Sequence, residues 1–110
     1  MDVAVIGSRT IKTFDFDVLG IANADAVLTG GAAGVDAHAE AEAARRGIRC
    51  EVFRPDYKRW GRAAPHKRND EILAACDRVV AMWDGVSRGT KSVIEKARKL
   101  GKPCQIIRLD

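Results

Sequence analysis

The residues best suited to chemistry sit in glycine-bearing turns and in one basic segment. Thr29-Gly30-Gly31-Ala32-Ala33-Gly34-Val35-Asp36 follows the apolar run Ala26–Leu28 and opens an alanine-rich pattern that ends near Arg46. A glycine leaves room for an anion to reach the backbone N–H groups, and a helix N-terminus adds a positive pole. Gly30, Gly31 and Gly34 would serve a phosphate in this way. The same glycines also suit ordinary turn punctuation, and Asp36 in a first helical turn complements the helix dipole without any ligand. Gly7-Ser8-Arg9 closes the apolar run that starts at Asp2 and ends at Ile6. It offers a hydroxyl and a fork-shaped cation for a carboxylate or phosphate, or it is a plain exit from a strand. A further turn, Asp84-Gly85-Val86-Ser87-Arg88-Gly89-Thr90, follows the apolar run from Val79 to Trp83.

The basic segment runs from Arg54 to Arg68 and includes Lys58, Arg59, Arg62, His66 and Lys67, with Asp56 as its acid. Tyr57 and Trp60 lie within it, and Pro55, Gly61 and Pro65 mark it as a loop. Guanidinium to phosphate and ring to base would suit a nucleotide. A solvated loop whose aromatics pack on the core is the plainer alternative.

Five apolar runs carry these turns: 2–6, 26–29, 48–53, 77–83 and 104–109. Between them lie helical patterns over Phe14–Ala22, Val35–Arg46, Pro65–Ala75 and Thr90–Leu100. His38, among alanines, reads as a packed or exposed histidine. Such alternation predicts an α/β domain with a parallel sheet covered on both faces. In sheets of this kind a ligand sits beyond the carboxyl ends of the strands. The glycine-bearing turns and the basic segment all follow strand ends, so they converge on one edge.

A chain of 110 residues with 46% hydrophobic and 31% charged residues fits one folded domain spanning 1–110. No apolar run is long enough to cross a membrane, and the N-terminal residues show no signal-peptide pattern. Three cysteines without metal spacing imply reduced thiols and a cytoplasmic location, with neither metal nor cofactor expected. The net charge of +4 permits an anionic ligand without marking a nucleic-acid-binding protein.

Thr29-Gly-Gly-Ala-Ala-Gly-Val-Asp36 with its alanine-rich helix, Arg68-Asn69 opening another helix, and Gly85…Gly89-Thr90 together resemble the SLOG superfamily of Rossmann-like domains. That superfamily includes DprA-type DNA-processing proteins, LOG-type nucleotide phosphoribohydrolases and small stand-alone YspA-like proteins, to which this chain is most similar. The resemblance runs from Val3 to about Ile107. It implies a three-layer domain with a five-stranded parallel sheet in the order 3-2-1-4-5, and a nucleotide-related ligand at the edge described above. It also implies a homodimer or higher homo-oligomer, for which the helices around Ile72–Ala75 and Val93–Ala97 are the expected faces. In the phosphoribohydrolases an arginine in the place of Arg68 pairs with a glutamate just after the Gly-Thr turn. Here Lys91, Ser92 and Val93 fill that place, and the first carboxylate beyond it is Glu95.

The leading expectation is therefore a sensor or carrier of a phosphorylated nucleoside. Its ligand-binding residues would be Gly7, Ser8, Arg9, Gly30, Gly31, Gly34, Asp36, Trp60, Arg68, Asn69, Gly85, Gly89 and Thr90. The alternative is an N-glycosidic hydrolase using Arg68 with Asp36 or Glu95. Single-stranded nucleic-acid binding is a third reading, against which the small net charge weighs.

Overall fold

The computed structural model describes residues 1–21 and 23–109. Five strands, β1 (Asp2–Gly7), β2 (Ala26–Thr29), β3 (Arg49–Val52), β4 (Arg78–Trp83) and β5 (Cys104–Arg108), form one sheet in the order β3-β2-β1-β4-β5. Every pairing is parallel, with Val3 opposite both Val27 and Arg78, and Val80 opposite Gln105. The helices are α1 (Val35–Arg45), α2 (Tyr57–Trp60), α3 (Ala64–Ala75) and α4 (Arg88–Lys99). The chain is thus an α/β protein with a Rossmann-like three-layer fold.

Side-chain alternation along the strands explains the layering, because successive residues face opposite sides of a sheet. Val3, Val5, Val27, Val80 and Met82 meet Val35, Ala39 and Ala43 of α1 on one face. Ala4, Ile6, Leu28, Val79 and Ala81 meet Ile72 and Leu73 of α3 and Val93, Ile94 and Ala97 of α4 on the other. Central strands β1 and β4 are buried along their middles, so continuous apolar runs were their signature. Of the α3 and α4 residues expected at a dimer face, Ile72, Leu73, Val93, Ile94 and Ala97 are packed on the chain's own sheet, while Ala74 and Ala75 are exposed.

Several expected boundaries move. The pattern read over Phe14–Ala22 forms only a short 3-10 turn, Phe16–Leu19, capped by Asp15 and ended by Gly20 in the left-handed region; Ala22 lies outside the described residues. The segment read as a loop from Arg54 is partly helical. The Asp56 carboxylate accepts the Arg59 N–H and starts α2, a 3-10 turn covers Gly61–Ala63, and Pro65 sits in the first turn of α3. α4 begins two residues before Thr90, because Ser87 caps it by accepting the Thr90 N–H.

Candidate functional site

The strand order reverses between β1 and β4: one half of the sheet grows outward through β2 and β3, the other through β5. Loops leaving the carboxyl ends of β1 and β4 diverge there and leave a crevice. A cavity of about 670 Å³ occupies it, within the range of small-molecule sites. Of the residues expected from sequence, Gly7, Arg9, Asp36, Arg68, Asn69, Gly89 and Thr90 line it.

Two hydrogen-bonded struts set its shape. The Ser8 hydroxyl accepts the Asp84 N–H at 3.1 Å, and the Thr10 hydroxyl donates to the Asp84 carboxylate at 2.7 Å. Asp84 also accepts the Val86 and Ser87 N–H groups at 2.9 and 2.8 Å. The Thr10 hydroxyl first, then those two N–H groups, hold its carboxyl down to about 2. Ser8, expected to touch ligand, instead ties the β1 loop to the β4 loop, and it is 1% exposed.

Asp36 is almost fully buried and turns back on the glycine-rich turn. Its carboxylate accepts the Gly30 N–H at 3.0 Å and the Ala32 N–H at 3.4 Å. Burial pushes its carboxyl up to about 6, against the pull of those N–H groups and of Arg68. Arg68 donates to the Gly30 carbonyl and, at 2.7 Å, to the Asn69 side-chain oxygen. Half-buried, it has its pKa lowered by burial, which Asp36 opposes.

The glycines of this turn therefore accommodate the protein's own groups. A Cβ on Gly30 would lie 2.5 Å from the Arg68 guanidinium and 2.9 Å from the Asp36 carboxylate. On Gly31 (φ +71°) it would meet Arg54, and on Gly34 (φ +79°) the Ser8 and Arg9 backbone. None of these three glycines lines the crevice. Gly85 (φ +87°) likewise lies against Arg108, away from the cavity. Gly89 differs: its φ is not positive, and nothing lies within 4 Å of the Cβ it lacks.

No family model, no curated protein and no solved structure matches this chain.

Two further expectations are not met by placement. Glu95 is exposed on α4 and does not line the crevice, although Val93 does. Trp60 lies in a separate recess of about 240 Å³ that shares Arg68 with the crevice. Sequence reasoning missed Thr10, His66, Asp84, Val86, Ser87 and Arg88, all of which line the cavity. Asp84 and Ser87 had a local signal, since an Asp-Gly pair after a strand and a Ser three residues before a Thr mark a turn and a cap. His38 is packed, its Nε2 2.9 Å from the Phe14 carbonyl and its ring edge-on to Phe14.

The electrostatics of the crevice are cationic at its walls. Among the described residues no carboxylate lies within ion-pair distance of Arg9, Arg68 or Arg88. Val86, 80% exposed, supplies an apolar rim. Among the described residues no group of three or more His, Cys, Asp or Glu side chains is arranged to hold a metal ion. The cysteines are free, and burial pushes all their thiols up. No helix among the described residues is long and apolar enough to cross a membrane.

Proposed function

We propose that this chain binds a phosphorylated, nucleotide-derived ligand in the crevice between the β1 and β4 loops, as a SLOG-type sensor or carrier domain. The observation that carries the reading is the set of three arginines, Arg9, Arg68 and Arg88, around a cavity of nucleotide size at the switch point. Among the described residues Arg9 and Arg88 have no carboxylate within ion-pair distance, and Arg68 has Asp36 nearby as a buried countercharge. Phosphate would sit at the first turn of α4, where Ser87 already caps the Thr90 N–H but the Arg88 and Gly89 N–H groups lack intrahelical acceptors and Gly89 leaves the backbone open. Arg9 and Arg88 would close on it, and Arg68 would present its remaining N–H groups from the opposite wall. Val86 gives an apolar surface for a base, a role that the sequence assigns to Trp60 or Tyr57.

Binding is favoured over glycosidic cleavage by the state of the acids. Asp36 and Asp84 both line the cavity, yet each carboxylate is already engaged by the protein's own groups. Cleavage would need a carboxylate available to the ribose. The test is native mass spectrometry of freshly purified protein, followed by calorimetric titration with nucleoside mono-, di- and triphosphates and an assay for released base. Retained or titrated nucleotide without base release is the expected result. Absence of binding to every nucleotide at millimolar concentration would overturn the reading, and turnover abolished by Asp36→Asn with binding intact would replace it with the hydrolase.

A further inference from the structure

The recess between α2 and α3 lies outside the crevice but has Arg68 in common with it. Arg54, Arg59, Lys67 and Arg68 gather around this space of about 240 Å³, against Asp56 and Glu71. Asp56 is already the cap of α2, accepting the Arg59 N–H at 3.1 Å. Arg54 leans toward Glu40 at 3.8 Å. Arg59 and Lys67 have no carboxylate within ion-pair distance among the described residues. Both instead lie over the Trp60 ring, each 4.8 Å from its centroid. The ring faces attract the cations and hold two flexible side chains beside a third and fourth like charge. Such gathered cations repel one another, and an anion in the recess would relieve that repulsion.

We infer that this recess is a second anion subsite, and that the ligand of the crevice carries two phosphate groups on one nucleoside. The inference rests on the crevice reading. Arg68 lines both spaces, and a ribose phosphorylated at both ends would present one group to each side of it. Trp60, 37% exposed with cations on its ring, is then a scaffold for the subsite and not a platform for a base. The recess is small and bounded by Asp56 and Glu71, which favours a compact ligand over a nucleic-acid strand tracking across the surface.

The experiment compares nucleoside 5′-monophosphates with 3′,5′-bisphosphates of adenosine, guanosine, cytidine and uridine by calorimetry at low salt. The proteins are the wild type and the double variant Arg59→Ala/Lys67→Ala, both of whose altered side chains are exposed. At least one bisphosphate should bind about tenfold or more tightly than its monophosphate, the effect of one added charge-assisted contact. In the double variant that advantage should vanish while monophosphate affinity stays unchanged. Equal affinity for the two series in the wild type, or an advantage that survives in the double variant, overturns the subsite and leaves the crevice standing. Failure of both series to bind overturns the crevice reading as well. A short single-stranded oligonucleotide that binds more tightly than any bisphosphate, and loses this in the double variant, would overturn the compact ligand in favour of a strand.

Discussion

The turn after β2 and the turn after β4 each leave a buried strand, carry glycines and open a helix, yet they are filled differently. Between β2 and α1 the space that glycine vacates is taken by the protein: Arg68 and Asp36 at Gly30, Arg54 at Gly31, the Ser8–Arg9 backbone at Gly34. Its N–H groups are also engaged, those of Gly30 and Ala32 by Asp36 and that of Val35 by the Ser8 carbonyl at 3.4 Å. Between β4 and α4 the side chains of Asp84 and Ser87 organise the loop, and Gly89 faces open space. A glycine-rich turn shows that something approaches the backbone closely. Whether that something is a ligand or the protein's own side chain depends on residues distant in sequence, here Arg68.

The comparison is broken most directly at Gly34. A Cβ there would sit 2.5 Å from the Ser8 carbonyl oxygen and 2.6 Å from the Arg9 Cα, on a backbone with φ +79°. Neither contact is a flexible side-chain tip that can swing away. Gly34→Ala should cost about 3–5 kcal/mol, the sum of a strained conformation and an overpacked contact. Denaturant unfolding measures it, and an unchanged midpoint would mean that the first turn is not filled from within.

The two aspartates sharpen the contrast through pH. Asp36 has a folded pKa of about 6, above its unfolded value of 3.8. The folded state thus holds this proton more tightly, and the group's contribution to stability is greatest below pH 4 and falls as pH rises through 6. Asp84 behaves oppositely, because its folded pKa of about 2 lies below 3.8. Its contribution is present above pH 4 and is lost as pH falls toward 2. Within the Asp36 window and above that of Asp84, lowering the pH from 7 to about 4.5 should stabilise the wild type relative to Asp36→Asn by about 2 kcal/mol. Parallel pH profiles for the two proteins would show that the Asp36 charge is not destabilising where it is buried.

Arg68 belongs to both regions, since it braces Gly30 and lines the crevice. Arg68→Ala should weaken nucleotide binding about 10- to 150-fold and cost about 1–2 kcal/mol of stability by leaving Asp36 without its countercharge. Arg9 is exposed and has no such second task. Arg9→Ala should lower affinity alone, so measuring affinity and unfolding together separates the two arginines. Equal effects on both quantities in both variants would remove the distinction between wall and brace.

Much of this architecture was legible because burial on both faces writes strands as unbroken apolar runs. Val79 to Met82 is such a run, and the strand ends pointed to the edge where the crevice lies. The order of the strands came from resemblance, since nothing in a single run says which neighbour it pairs with. α2 was missed because Pro55, Gly61 and Pro65 read as loop punctuation, while Asp56 capping the Arg59 N–H permits one helical turn between them. Site residues on the turn after β4 were half visible. The turn was recognised, but Asp84, Val86 and Arg88 line a cavity together with Arg9 and Arg68, which arrive from distant parts of the chain. Conversely, Gly30, Gly31 and Gly34 looked like a cradle because the sequence shows what glycine lacks and not what fills the space.

Gly89 gives the smallest effect and the most specific one. It occupies the first turn of α4 with ordinary helical φ, and a Cβ there would meet nothing within 4 Å. By conformation alone alanine is the better residue in a helix, so Gly89→Ala should stabilise the fold by up to about 0.5–1 kcal/mol. The same methyl group would project beside the first-turn N–H groups that are proposed to meet phosphate. Nucleotide affinity should therefore fall severalfold, about 1 kcal/mol for one hindered hydrogen bond. Stability and affinity moving in opposite directions is the signature of a glycine kept open for a ligand. A variant that is both more stable and equally good at binding would show that the turn after β4 is open without purpose, and the contrast between the two turns would then be one of packing alone.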